Sequence, residues 1–280
     1  MPPTLRFRVE SLQVYPVKAC AGIRVPRLTF GADGAVENDR EWVIVDGRGE
    51  VTWQGAHSRL ALVQPVLAGA GVLLTAGSNG RSAALVPGRA CTIRAWNDGA
   101  RRMDELQGHD AGEEAAALLA EVTGAPLRAV RPSRAARVRE GVNPVHLVSA
   151  QSLDEVNREL VASGAAPVPL SRFRPNVVLA AVGADGAGAW AEERVDRLAW
   201  RSRDGRMALA VVGPCVRCVV PNVDLETARI AAEPLATVAK LSRARCAGSP
   251  PVFGIYARPS GAGVLEEGEE LAGALAAEVG

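Results

Sequence analysis

The segment Gly213-Pro214-Cys215-Val216-Arg217-Cys218-Val219-Val220-Pro221-Asn222-Val223-Asp224 follows an apolar run and places two thiols at Cys-x-x-Cys spacing. Three chemistries use such a pair: a dithiol redox couple, half of a zinc site, or a single thiolate ligand to a soft metal. A couple of the thioredoxin kind opens a helix within a βαβ unit, whereas Val219-Val220-Pro221 continues as extended chain. Structural zinc asks for two further ligands at knuckle spacing, whereas Cys246 and the histidines His57, His109 and His146 are scattered singly. The plainest alternative makes both cysteines small buried hydrophobes, the commonest fate of a free cysteine, and spacing alone favours it.

The elements that must position this segment read as mainly strands. Leu5 to Val17 alternates loosely, Trp42 to Val45 is a short apolar run, and Asp46-Gly47-Arg48-Gly49 predicts a hairpin turn into Val51-Thr52-Trp53. Leu60 to Leu67, Val72 to Thr75, a turn at Ser78-Asn79-Gly80, Ala83 to Val86 and Cys91 to Trp96 continue the pattern, which suits a barrel or sandwich. Asp110, with Glu113 three residues on, predicts a capped helix through about Val122 that Gly124 stops. Five arginines (Arg128, Arg131, Arg134, Arg137, Arg139) around Pro132-Ser133 read as a connector. The expected organisation is therefore an N-terminal domain over 1–127, a connector over 128–144 and a second domain over 145–280. In the second domain Val145 to Val148 reads as a strand, and Ser152-Leu153-Asp154-Glu155 as a capping box opening a helix on Leu153, Val156 and Leu160. Asn176 to Val182, Arg194 to Trp200 and Met207 to Val212 read as strands, the last two joined at Asp204-Gly205. A short helix over Pro234 to Leu241 and a strand over Val252 to Ala257 follow.

Bulk properties narrow the function classes. Hydrophobic residues at 48% and charged residues at 22% of 280 predict a packed core rather than disorder. Lys and Arg total 32 against 31 Asp and Glu, so the chain lacks the electrostatic footprint of a nucleic-acid-binding protein, and no nucleic-acid partner is expected. Met1 to Arg8 lacks a signal-peptide core and no stretch has the length of a membrane span, so a soluble, cytoplasmic protein without membrane association is expected. Five cysteines are too few and too odd for a secreted disulfide scaffold, so reduced thiols are expected.

Four segments, in order, change the weighing at Cys218. Tyr15-Pro16-Val17-Lys18, Asp39-Arg40-Glu41-Trp42, Arg172-Phe173-Arg174-Pro175-Asn176-Val177-Val178, and Cys215-Val216-Arg217-Cys218 with Val223-Asp224 resemble the MOSC proteins and their companion N-terminal β-barrel domain, in particular the amidoxime-reducing component and its bacterial relatives. Pro251-Val252-Phe253-Gly254 also resembles that family, where a Phe-Gly turn precedes the last strands. The resemblance spans nearly the whole chain and implies an α+β protein, mainly β, in which an N-terminal β-barrel-like domain packs on a MOSC β-barrel domain.

It also implies a molybdenum cofactor (Mo-molybdopterin) lying between the domains, with Cys218 as metal ligand and catalytic residue; pyridoxal phosphate is not required. A thiolate is a soft donor for a redox metal, and Arg217 beside it would favour the deprotonated form. Lys18 offers a point charge to the cofactor phosphate, Arg40 and Arg174 offer planar forks, and Asn176 offers both donor and acceptor. Ser149, in a strand-to-helix turn, is a further cofactor contact in the family or else a helix cap. The alternatives are an edge-strand lysine at 18, a local pair of Arg40 with Asp39 or Glu37, and a polar strand entry at Arg174 and Asn176. Ala19 stands where the relatives carry serine, so that one cofactor hydrogen bond is either missing or supplied elsewhere. The implied activity is reduction of a small N-hydroxylated substrate from N–OH to N–H. Electrons would come from a separate ferredoxin- or flavoprotein-type partner, because the chain carries no four-cysteine module of its own. The alternative is a non-catalytic module that carries or sulfurates the cofactor.

Overall fold

A computed structural model describes residues 4–69, 71–76, 80–142, 145–183, 188–202 and 205–276. In chain order the elements begin with β1 (Thr4–Val14), β2 (Ile23–Val25), β3 (Arg27–Phe30), β4 (Val43–Val45), β5 (Val63–Ala68), β6 (Gly71–Ala76) and β7 (Arg81–Leu85). They continue with β8 (Ala90–Asn97), β9 (Arg102–Asp110), α1 (Glu113–Thr123), β10 (Arg128–Pro132), α2 (Arg134–Arg137), β11 (Val145–Ser149) and α3 (Ala150–Ala162). The last are β12 (Val177–Val182), β13 (Val195–Ser202), β14 (Gly205–Val216), α4 (Leu235–Arg245), β15 (Val252–Pro259), β16 (Gly263–Glu266) and β17 (Glu270–Leu275). The protein is thus mainly β with some α. No helix among the described residues is long and apolar enough to cross a membrane.

Seven strands close into a barrel. Their order is β12-β11-β15-β14-β13-β17-β1, and β1 pairs with β12 as well as with β17, so the ring has no free edge. Strand β1 shows why its residues suit this place: Leu5, Phe7 and Val9 face the core, and a bulge between Val9 and Ser11 shifts the alternation so that Leu12 and Val14 also point inward. β11 and β12 run parallel, which requires a crossover, and α3 supplies it. The barrel core includes Phe7, Leu12, Leu147, Leu179, Leu198, Leu209, Ile255 and Leu271, all buried.

The second module is a half-barrel. A four-stranded sheet (β4-β10-β9-β8) and a three-stranded sheet (β5-β6-β7) pack with α1 around Val17, Trp42, Ile44, Leu60, Leu74, Leu118 and Leu119. The chain passes from barrel to half-barrel just after β1, where Val17 bridges Trp42 in parallel and the Lys18 N–H donates to the Trp42 carbonyl at 2.8 Å.

Several local expectations are corrected. The described residues of the expected connector, 128–142, are not a solvated linker: β10 pairs with β4 and β9, α2 follows, and Arg128, Arg131, Arg134, Arg137 and Arg139 each pair with an acid. The arginine density disguised a strand whose other residues, Ala129, Val130 and Pro132, are buried, Ala129 in the core with Trp42 and Ile44 and Val130 in the cluster of Val43, Val45 and Ile93. Asp110 does not cap α1; its carboxylate takes the Gly112 N–H and the Arg128 guanidinium, and Gly112 starts the helix. Gly124, at φ 73°, does end it. Helix α3 starts two residues before Ser152, whose hydroxyl instead donates to buried Glu192. Phe253-Gly254 lies within β15, inside the strand expected over Val252 to Ala257, and precedes β16 and β17. The turn at Ser78-Asn79 and the hairpin residue Asp204 lie outside the described residues.

Candidate functional site

Three segments meet where barrel and half-barrel join. Tyr15–Lys18 leaves β1, Asp39–Trp42 leads into β4, and Arg174–Asn176 leads into β12. Segments 15–18 and 39–42 run side by side, with Arg40 N–H donating to the Tyr15 carbonyl at 2.7 Å and Trp42 N–H to the Pro16 carbonyl at 3.0 Å. The third segment is tied to β1 and β11: Gln13 N–H donates to Asn176 carbonyl at 2.9 Å, and Asn176 N–H to His146 carbonyl at 2.8 Å.

Asp39 and Asn176 form the buried frame of the junction. One Asp39 carboxylate oxygen takes the Tyr15 N–H at 2.8 Å and the Asn176 amide at 3.0 Å, while the other pairs with Arg40. The Asn176 side-chain carbonyl accepts from Arg40 at 3.1 Å and from the His146 N–H at 3.2 Å, and its amide also donates to Gln13 carbonyl at 3.1 Å. Both amide ends are thus committed to the protein, and the local pair of Arg40 with Asp39 coexists with the inter-segment bond to Asn176.

On this frame the cations converge. The guanidinium carbons of Arg174 and Arg40 lie 4.2 Å and 5.0 Å from the centre of the buried Tyr15 ring, and Arg174 also donates to the Cys20 carbonyl at 2.6 Å. Lys18 meets solvent, yet protein crowds it on several sides; that desolvation, with repulsion from Arg139, Arg40 and Arg174, pushes its ammonium below the ordinary lysine value despite Asp98. Desolvation likewise pushes Arg174 down to about 10, with Arg40 adding repulsion. Burial opposes the charge on Arg40, but Asp39 more than compensates and holds it above the ordinary arginine value. A solvent-reached recess in which cations depress one another is a site for an anion, which relieves the repulsion.

The backbone is held in unusual conformations here. Seven described non-glycine residues have positive φ, and three of them are Arg40 (50°) and Arg174 (56°), within two of these segments, and Ala19 (72°), which directly follows the first. Such residues persist only where surrounding contacts over-determine them, and they concentrate at binding sites.

The thiol segment borders the same junction. Bulges at Val211/Gly213 and Pro214/Val216 re-aim the end of β14, leaving Cys215 1% exposed and Cys218 on the surface. The Arg217 guanidinium, expected to assist Cys218, turns back instead: it donates to Cys215 Sγ at 2.8 Å and to the Phe173 carbonyl at 3.0 Å, and stands 3.4 Å from His146 Nε2. Burial opposes ionisation of Cys215, but His146 and Arg217, with hydrogen bonds from His146 and Tyr256, prevail and bring its thiol down to about 6. Cys215 is therefore not a packed hydrophobe.

The structure brings Lys18, Arg40, Arg174, Asn176 and Arg217 to one junction and puts Cys218 next in the chain to Arg217. Ser149 is placed apart from their contacts: it is buried at the start of α3, its hydroxyl donates to Gln151 Oε1 at 2.8 Å and its N–H to Glu192, and its side chain makes no capping bond. Sequence reasoning passed over Tyr15 and Asp39, although both lie inside segments it singled out. It also passed over His146 and Tyr256, for which no local pattern exists because strand pairing of β11 with β15 brings them together. A pocket of about 500 Å³ lined by Glu193, Arg245 and Cys246 lies between β13, β14 and α4 and includes none of the convergent cations.

A family model described as MOSC domain matches residues 122–272, and one described as MOSC N-terminal beta barrel domain matches residues 6–126. The molybdenum cofactor sulfurase of Drosophila grimshawi is 28% identical over 261 residues, covering 90% of this chain and 32% of the relative. That of Danio rerio is 26% identical over 275 residues, covering 89% and 31%. The chain thus spans about a third of the length of these curated relatives. The crystal structure of the YUAD protein from Bacillus subtilis aligns over 97% of both chains at 12% identity with a TM-score of 0.41.

Proposed function

The chain belongs to the MOSC family, and from that membership we propose that it binds a molybdenum cofactor at the junction of its two modules and uses it to reduce N-hydroxylated compounds. The observation that carries the reading is the convergence of Lys18, Arg40 and Arg174 in one solvent-reached recess, with a surface thiol, Cys218, beginning the loop that borders it. The donor set fits the group. Its phosphate needs cations, and three are present, two with planar forks; its metal needs a soft ligand, and Cys218 is an accessible thiol. The Nε of Arg217 and that of Arg172 are buried without a hydrogen-bond partner, so each guanidinium keeps an unused donor.

When bound, the cofactor supplies the two-electron chemistry by which N–OH becomes N–H, consuming two protons and releasing water. The residues do the rest. Lys18 and Arg174 hold the phosphate, Arg40 is fixed by Asp39 and Asn176 so that its remaining face serves the same anion, and Cys218 ligates the metal. Electrons come from a separate ferredoxin- or flavoprotein-type partner. Ser149 is left out of this set, because its hydroxyl donates to Gln151 and its N–H to Glu192.

A second reading is favoured by the relatives' name: the chain carries or sulfurates the cofactor for other enzymes. One preparation decides. Protein from cofactor-replete cells is analysed for molybdenum and pterin, then given an electron donor and an N-hydroxylated base. Turnover that disappears in Cys218→Ser, together with its molybdenum, supports the reductase. Stoichiometric cofactor without turnover, but with transfer to an apo-enzyme, supports the carrier. Molybdenum content equal in Cys218→Ser and the native chain overturns the ligand assignment.

A further inference from the structure

Cys215, His146 and Tyr256 come from three adjacent strands, β14, β11 and β15, and Arg217 closes the group from the loop. None of the four is spent on packing alone. Arg217 is held at four points: its N–H donates to the Pro251 carbonyl at 2.8 Å, its guanidinium donates to Cys215 Sγ and to Phe173 carbonyl, and its guanidinium carbon lies 5.5 Å from the centre of the Phe173 ring. Phe173 is itself stacked on Phe253 at 4.0 Å and immediately precedes Arg174. A single guanidinium therefore joins the thiol of β14, the turn that presents Arg174 and the residue before Cys218.

We propose that Cys215 is a positioning residue: its sulfur is the anionic anchor that locks Arg217, and through Arg217 fixes the Cys218 loop against the Phe173–Arg174 turn. The proposal rests on the cofactor reading for its purpose but not for its existence. A guanidinium with a buried end needs a negative partner, because an unpaired buried charge is far more costly than an unpaired dipole. Asp224 is engaged by Arg172 and by the Thr227 and Glu226 amides, and Asp39 by Arg40, Tyr15 and Asn176. The Cys215 sulfur occupies the place where a carboxylate would otherwise stand, and its low thiol value agrees with that duty. His146, with Nδ1 at 3.4 Å from the Arg174 carbonyl and Nε2 at 3.4 Å from the Phe253 carbonyl, is braced on both sides and backs the anchor.

The test uses the full chain without cofactor, then with it. In a chain whose only cysteine is Cys215, thiolate ultraviolet absorbance is expected at neutral pH and is expected to vanish on Arg217→Gln. In the otherwise native chain, Cys215→Ser is expected to raise amide exchange over 217–219 by about tenfold while β11 and β15 keep their protection. Arg217→Lys, which keeps the charge but cannot bridge sulfur and carbonyl together, is expected to do the same and covers the case in which Cys215→Ser fails to fold. With cofactor, Cys215→Ser is expected to weaken retention roughly 10- to 100-fold, as loss of an outer-shell partner does, whereas Cys91→Ser is not. Unchanged exchange in both Cys215→Ser and Arg217→Lys, or a protonated thiol at neutral pH, overturns the anchor. A native chain that never holds molybdenum overturns the cofactor reading alone, since the exchange and absorbance results stand without it.

Discussion

Lys18 and Arg174 share a property that separates them from ordinary surface cations: each holds its proton against its surroundings. Both are bases whose folded values lie below their unfolded ones, so keeping them charged at neutral pH costs folding free energy, and a bound anion offsets that cost. Inorganic pyrophosphate should therefore raise the unfolding midpoint at neutral pH. The gain should fade as pH rises towards about 10, where Arg174 loses its proton. Lys18→Ala and Arg174→Gln should each weaken pyrophosphate binding by roughly tenfold, the worth of one charge-assisted hydrogen bond. Calorimetric titration of the two variants checks this, and undiminished affinity in both would remove the anion from the recess. The residues that frame these cations were visible as types and not as partners. Asn176 was legible as a polar group at a strand entry, but its bonds to Arg40 and Asp39 span sequence separations of 136 and 137, which no local pattern encodes.

Strand β15 shows the same limit one level up. Val252 to Ala257 reads as a strand from its apolar run, and the structure extends it to Pro259. The Phe253-Gly254 pair within it does more than pack. Gly254 has φ 80°, and a Cβ there would stand 2.4 Å from the Leu147 carbonyl oxygen and 2.8 Å from His146 Nε2. The glycine thus lets β15 approach β11 closely enough for His146 to reach the thiol group. Gly254→Ala should cost about 1–3 kcal/mol, from the backbone conformation and the close approach together, and thermal unfolding measures it. Long alternating or apolar runs such as β1 and β12 were legible because burial on a barrel wall imposes their pattern. β10 was not, because its outward positions carry arginines paired with acids from elsewhere in the half-barrel, and charge density at 128–139 looks the same whether solvated or paired. β16 escaped because it spans only four residues and takes its partner from distant β3, and β17 escaped because alanine, glycine and glutamate dominate it and only the gap between β13 and β1 gives those residues a strand to be.

The same gap governs how the molecule can be divided. A split before Arg128 looks natural from sequence, yet β1, the first strand of the chain, sits between β17 and β12 in the barrel that the last half builds. The crossing of Tyr15–Lys18 from barrel to half-barrel is also what brings Lys18 beside Arg40 and within reach of Arg174, so the site exists only when both modules share the chain. A chain of residues 128–280 alone would leave β12 and β17 with two unpaired edges, and would expose Leu179 and Leu271, which β1 now covers through Phe7, Val9 and Leu12. Such a piece should be insoluble, or should lack a cooperative unfolding transition. Adding a peptide of residues 4–25, which carries β1 and β2, should restore a transition in proportion to its concentration, because strand addition couples binding to folding. A soluble, cooperatively folded 128–280 chain that ignores the peptide would mean that the barrel closes without β1. The junction site would then belong to two separable domains rather than to one interlocked pair.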